Sequence, residues 1–123
     1  MENNQGYRKE ISDVCVKIGF DVIDPWNREK VLYKGNEDCW WNKVSTFDFI
    51  QRDLDDADNC DIMVVYLPQL SAGACMELFY AKRKSKKIIV VSEMECLSPW
   101  IIAHSDIILK SFNQLEDALK KIR

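Results

Sequence analysis

The sequence predicts an α/β fold, a parallel sheet of four to five strands held in a three-layer sandwich. Three observations carry this. Residues 61–67 (DIMVVYL) and Lys87–Val91 (KIIVV) are short, almost wholly apolar runs bounded by turn residues or charges, the pattern of strands buried on both faces. Between them, residues 72–84 follow a natural N-cap, Ser71, and read as a helix. Strands and helices alternate along the chain, and such crossovers join parallel neighbours.

Taken in order, residues 7–18 form the first predicted helix. Ile11, Val14, Cys15 and Ile18 recur at the i, i+3, i+4, i+7 spacing of one helical face, and Gly19 is a suitable stop. Residues 20–23 (FDVI) then read as a short strand, ended by Asp24-Pro25. Residues 27–43 leave two readings open: Asn27-Arg28-Glu29-Lys30 can start a short helix, while Lys34-Gly35-Asn36-Glu37 looks like loop. Residues 40–57 are helical, with Val44, Phe47, Ile50, Leu54 and Ala57 in one stripe. After the strand–helix–strand unit at 61–91, Ser98-Pro99-Trp100 has the N-cap and N1 proline of a helix start. Residues 107–109 read as a strand and residues 113–122 as a closing amphipathic helix. No strand precedes the first helix. Either the sheet has four strands, or a first strand proper to the fold lies upstream of Met1.

A chain of 123 residues makes one domain, with one core. Its 47% hydrophobic and 30% charged residues are ordinary for a soluble protein. The net charge of −3 argues against nucleic-acid or anionic-membrane binding driven by bulk charge, though it is compatible with a local anion pocket. No apolar run approaches the ~18–20 residues of a membrane span, and MENNQGYRKE lacks a signal-peptide core. The five cysteines are odd in number and widely spaced, without a CxxC pair. Cys15, Cys60 and Cys75 fall inside apolar patterns, so buried free thiols in a reducing cytoplasm are expected, not disulfides or a zinc site.

The chemistry-bearing stretch is the loop Pro68-Gln69-Leu70-Ser71-Ala72-Gly73 and the helix it opens. Open α/β folds bind ligands at such loops, beyond the carboxyl ends of their strands. A helix N-terminus offers unpaired N–H groups and partial positive charge, and Gly73 permits close backbone approach by a phosphate or a sugar hydroxyl. Glu77, one turn further in, can lie under the same pocket; equally, it reads as an exposed acid favoured by the helix dipole. Asp53 borders the apolar stripe of its helix and could reach the same sheet edge, or belong with Asp55, Asp56 and Asp58 to a solvated acidic helix end. Two carboxylates in one pocket suit glycosidic chemistry, one attacking the anomeric carbon while the other handles the leaving group. His104, the single histidine, is a candidate donor at the pocket edge or an exposed structural residue. Trp40, Trp41 and Trp100 can stack on a nucleobase, or serve core packing or subunit contact.

These residues resemble the nucleoside 2-deoxyribosyltransferase superfamily, which includes base-exchanging transferases and N-glycosidases that hydrolyse 5′-mononucleotides. The resemblance lies in Asp53-Leu54 through Cys60-Asp61, a buried strand, then Ser71-Ala72-Gly73-Ala74-Cys75-Met76-Glu77 followed by Tyr80-Ala81. The 24-residue separation of Asp53 from Glu77 is similar to that of the nucleotide-hydrolysing branch. Gly6-Tyr7-Arg8 through Asp24-Pro25 looks like the family's first helix and second strand, and Leu97-Ser98-Pro99-Trp100 like its segment across a dimer interface.

The resemblance implies a flavodoxin- or Rossmann-like sheet and N-glycosidic cleavage or transfer, with Glu77 as nucleophile and Asp53 handling the departing base. It implies a nucleoside or nucleotide ligand bound by Tyr7, Ser71, Gly73, Ala74, Ser98, Trp100 and His104, with no metal or cofactor. It also implies a homodimer or higher homo-oligomer with shared sites. Ser71 stands where transferases often carry Asp, which tilts the expectation toward monophosphate hydrolysis; Ala74 replaces a common Thr. Family members open with a strand and a Gly-Pro or Gly-Ser loop that this chain lacks, since its opening residues look like the tail of that loop. The alternatives are a non-catalytic nucleotide-binding domain or a plain interaction module.

Overall fold

A computed structural model describes residues 6–23 and 46–122. The first helix, α1, is Gly6–Ile18. It buries Cys15 and packs Ile11, Val14 and Ile18 against the core, the face its spacing predicts. Gly19 ends it in the left-handed region at φ 103°. Its N–H donates to Val16 O at 3.0 Å and that of Phe20 to Cys15 O at 2.9 Å, a Schellman closure that glycine makes without strain.

Residues 20–23 correct the first expectation. They form no strand. Phe20 packs on the core, but Val22 and Ile23 stay 38% and 47% exposed, with no described strand beside them to supply a ladder. The second helix, α2, is described over Thr46–Asn59. Of its predicted stripe, Ala57 is buried and Leu54 half-buried, while Phe47 and Ile50 are exposed. The ambiguous stretch 27–43 and the predicted helix start at 40–45, with Trp40, Trp41 and Val44, lie outside the described residues.

From residue 62 onward the predicted order holds: β1 Ile62–Tyr66, α3 Ala72–Arg83, β2 Lys87–Val91, α4 Pro99–His104, β3 Ile107–Leu109. A 3₁₀ turn at Phe112–Gln114 leads into the closing helix α5, Leu115–Ile122. All pairings are parallel, in the order β1-β2-β3. Ile62 lies opposite Lys87 and Tyr66 opposite Val91, while Ile89 faces Ile107 and Val91 faces Leu109. The protein is therefore a mixed α/β structure. Among the described residues the sheet has three strands rather than four to five, and they do not amount to a complete three-layer sandwich.

The alternation of β2 distributes the core. Ile89 and Val91 pack with Leu109, Cys15, Leu115 and Leu119, toward α1 and α5. Ile88 and Val90 pack with Leu67, Leu78, Ala81 and Ile101, toward α3 and α4. Burial of both faces explains why KIIVV is apolar without alternation. β1 has the same composition but is only half-buried along its length, because it is the edge strand of the described sheet. Cys60 and Cys75 are likewise half-buried, not buried as predicted, and Cys15, Cys60, Cys75 and Cys96 are free thiols.

Polar contacts close the ends of the elements. Tyr80 donates to both carboxylate oxygens of Asp58, at 2.9 and 3.0 Å, and Lys86 donates to Asp58 O at 2.9 Å, tying α3 to the end of α2. Glu116 on α5 meets Lys17 of α1 and Lys120, each at 3.2 Å, and these ammonium groups hold its carboxyl below the ordinary range. Asp106 precedes β3, and its carboxylate accepts from the Ile88 N–H at 2.8 Å while its own N–H donates to Ile88 O at 2.9 Å. It thus extends the β2–β3 ladder by one rung. Partial burial pushes the Asp106 carboxyl up, but the Ile88 N–H and the charges of Lys82 and Lys87 outweigh it and hold the group below its usual value.

A carboxylate depressed in the folded state stabilises in full above its unfolded pKa of about 3.9 and loses that contribution as pH falls through the lower folded value. Asp106→Ala should therefore cost about 1–2 kcal/mol at neutral pH, since the buried Ile88 N–H loses this acceptor. Denaturant titrations of both proteins between pH 7 and pH 2.5 should show the gap narrowing only below about pH 4. A gap that is constant, or that widens in acid, would contradict the assignment.

Candidate functional site

The site is built on the side of β1 away from β2, where no described strand pairs with it. At its end, Leu67 N–H still donates to Val91 O at 2.9 Å, and residues 68–70 then lift the chain over to α3. Ser71 is the N-cap predicted for it, in extended conformation at φ −135° and ψ 128°. Its Oγ accepts from Ala74 N–H at 3.3 Å and its carbonyl from Cys75 N–H at 3.1 Å. The first turn of α3 carries no acid, so its amide end keeps its partial positive charge.

Beside this turn lies a groove of about 560 Å³, within the size range of small-molecule sites. Tyr7 from α1, Asp53 from α2, and Ser71, Gly73, Ala74 and Glu77 from the loop and α3 all line it. These are six of the nine residues singled out from the sequence. Asp53 is half-buried, four residues before the buried Ala57, and its Oδ1 atom is fully covered. Glu77 is half-buried, in contrast to Met76 beside it at 73% exposure. Glu77 is thus partly covered rather than simply exposed. Asp53 likewise sits apart from Asp55 and Asp58, which are exposed. Asp56 joins it in the groove wall.

The other three residues are not brought to the groove. Ser98 caps α4, accepting from Trp100 N–H at 3.2 Å. His104 Nδ1 lies 2.7 Å from Trp100 O, and its ring meets Phe79 at 5.5 Å and Trp100 at 6.4 Å. The topology explains this. α4 joins β2 to β3, whereas the groove opens beyond β1. Trp100 is 73% exposed, and Ile102 beside it 52%; Ile101 turns inward and is buried.

Tyr66 is a groove residue that sequence reasoning missed. It stands at the carboxyl end of β1, between Tyr7 at 4.8 Å and Phe112 at 5.1 Å between ring centroids. The available signal was its place as the last residue of the strand, where ligand-facing groups gather. Cys60 also lines the groove, but burial pushes its thiol up, and it donates to Ala57 O at 3.3 Å, so it is a poor nucleophile. Among the described residues, no group of three or more His, Cys, Asp or Glu side chains is placed to hold a metal ion, and no helix is long and apolar enough to cross a membrane. No family model matches the chain, and no curated protein matches it significantly.

Gly73 gives a direct test of whether the groove takes a ligand. A Cβ built there meets no atom within 4 Å, so among the described residues nothing in the packing requires glycine. Its φ is not in the left-handed region, so alanine fits the backbone. Gly73→Ala should raise stability by about 0.5 kcal/mol through lower unfolded-state entropy. If a ligand approaches the backbone here, the same change should weaken its binding by at least tenfold. Thermal melts with and without deoxynucleoside monophosphates read both effects, and equal ligand-induced shifts in the two proteins would exclude close approach at Gly73.

Proposed function

We propose that this protein cleaves or transfers at the N-glycosidic bond of (2′-deoxy)nucleosides or their 5′-monophosphates, with hydrolysis of the monophosphates favoured. One observation carries the reading: Glu77, Asp53, Ser71, Gly73, Ala74 and Tyr7 line a single cavity. The resemblance to nucleoside 2-deoxyribosyltransferases rests on the same residues. In this reading the Glu77 carboxylate attacks C1′, the C1′–N bond breaks, and its electron pair leaves with the base. Asp53 protonates or steadies that base. Water then attacks C1′ of the glycosyl-enzyme, its proton passing to Asp53 as the C1′–O bond to Glu77 breaks, which releases the sugar and restores both carboxyl groups; a second base in place of water gives transfer. These steps use no metal or organic cofactor.

The amide end of α3 would take the phosphate, since its first turn holds no acid and Ser71 offers a hydroxyl where a carboxylate would repel a dianion. The fuller architecture belongs to the same reading, with a further strand beside β1 making a flavodoxin- or Rossmann-like three-layer sandwich. So does a cytoplasmic location, which the free thiols of the described cysteines favour. A homodimer with shared sites is supported by the exposed Met76, Phe79, Trp100 and Ile102 on α3 and α4. Ser98, Trp100 and His104 enter the site only across such an interface.

A second reading is a non-catalytic nucleotide-binding domain. It is favoured by β1, which among the described residues carries no strand on its outer side to complete the groove wall.

Incubation with each deoxynucleoside monophosphate should release free base, detected by chromatography. Asp53→Asn should slow release by about 10²–10⁴-fold, and Glu77→Ala should reduce it to background. Equal release by wild type and Glu77→Ala would overturn the enzymatic reading; saturable binding without base release over hours would favour the second. Adding a competing free base separates the subtypes, because only a transferase makes a new nucleoside.

Light scattering at micromolar concentration should show a dimer that Trp100→Glu converts to a monomer. A monomeric wild type would remove the shared-site proposal.

A further inference from the structure

Ser92 is a polar side chain with no solvent exposure, placed where all three strands end. Its Oγ donates to the Leu67 carbonyl at 2.6 Å and accepts from Met94 N–H at 3.2 Å. Its backbone N–H donates to Leu109 O at 2.9 Å. One residue thus joins the exits of β1, β2 and β3. Leu67 is the last residue before the loop that lines the groove with Pro68, Gln69 and Ser71. Its N–H is committed to Val91 O. Proline at position 68 fixes its own φ near −65° and has no N–H to anchor. The first free dihedral in the chain's departure from β1 is the ψ angle of Leu67, and ψ is set by where the Leu67 carbonyl points.

We infer that Ser92 is a positioning residue. Its hydroxyl, bonded to the Leu67 carbonyl, sets the direction in which the chain leaves β1, and so the course of the loop that brings Ser71 to the first turn of α3. It acts through Leu67. Only the kinetic consequence rests on the glycosidic reading; the effect on the loop stands apart from it.

Ser105 supplies the control. Its Oγ makes an equally short bond, 2.6 Å to Ile101 O, at the end of α4 away from the groove. Hydrogen exchange followed by NMR should show the Ala74 and Cys75 amides, both bonded to Ser71, exchanging at least tenfold faster in Ser92→Ala, with the α5 amides within threefold of wild type. Ser105→Ala should leave Ala74 and Cys75 within threefold, and Ser92→Thr, which keeps the hydroxyl, should restore them. Unchanged exchange at Ala74 and Cys75, or acceleration uniform along the chain, overturns the proposal. If Ser92→Ala does not fold, Ser92→Cys, close in size with a weak donor, is read by the same criteria. For base release from a deoxynucleoside monophosphate, kcat/KM should fall at least tenfold in Ser92→Ala and recover in Ser92→Thr. A wild type that releases no base defeats the glycosidic reading and leaves the exchange result to decide Ser92.

Discussion

β1 is held on one described side only, and the candidate site hangs from that attachment. Its ladder to β2 runs from the Asp61 carbonyl, which accepts from Lys87 N–H at 3.2 Å, to the Leu67 N–H, which donates to Val91 O. In a parallel ladder the bonded residues alternate, so these two contacts turn residues 61, 63, 65 and 67 toward β2. Ile62, Val64 and Tyr66 then direct their backbone groups to the groove side. The side chains of the same three residues lean on the α1–α5 face, while Met63, Val65 and Leu67 lean on the α3–α4 face. The groove therefore wraps an edge. It draws Tyr7 and Tyr66 from one face of the sheet and Glu77 and Asp53 from helices associated with the other.

This geometry explains why residues from distant parts of the chain can meet. α3 is fixed over the sheet by Leu78 and Ala81, both essentially unexposed, and this inward face leaves Glu77 at the side of the helix. α2 packs along α3, and the Tyr80–Asp58 bond locks its end in place. Asp53 lies five residues before Asp58 and is carried to the groove wall by that docking. Removing Tyr80 would thus loosen one carboxylate relative to the other without touching either.

Much of this was legible in residues whose pattern reports local physics. KIIVV declared a strand covered on both faces because both faces of β2 are covered. Ser71 and Ser98 declared helix starts because a cap is a local bond to the next turn. The tertiary placement of those starts was not legible. Ser98 reads as well as Ser71, yet only Ser71 opens onto the groove, and that difference lies in the order β1-β2-β3. DIMVVYL looked buried on both faces, yet β1 is only half-buried along its length, because apolar composition does not reveal which neighbours cover a strand. FDVI looked like a strand for the same reason, although a strand exists only when a neighbour completes its ladder. Phe47 and Ile50 fit a helical stripe that continues past the part of α2 covered by the core.

The two ends of the loop–helix unit carry different physics, and the proposed chemistry needs that difference. The field of a helix terminus falls off within its first turn. Ser71, Gly73 and Ala74 lie inside that turn, whereas Glu77 lies beyond it and half-buried. An anion bound at the amide end is stabilised by the N–H groups that would also lower a carboxylate's basicity if it stood there. A carboxylate placed further along escapes most of that stabilisation and retains nucleophilic character. In the proposed reading, the phosphate and the nucleophile thus occupy separate levels of one groove, set by their positions along α3. Because a helix turns by about 100° per residue, at about 3.6 residues per turn, shifting Glu77 by even one residue would rotate its carboxylate out of the groove. The spacing from Ser71 to Glu77 is accordingly as much a part of the site as either side chain.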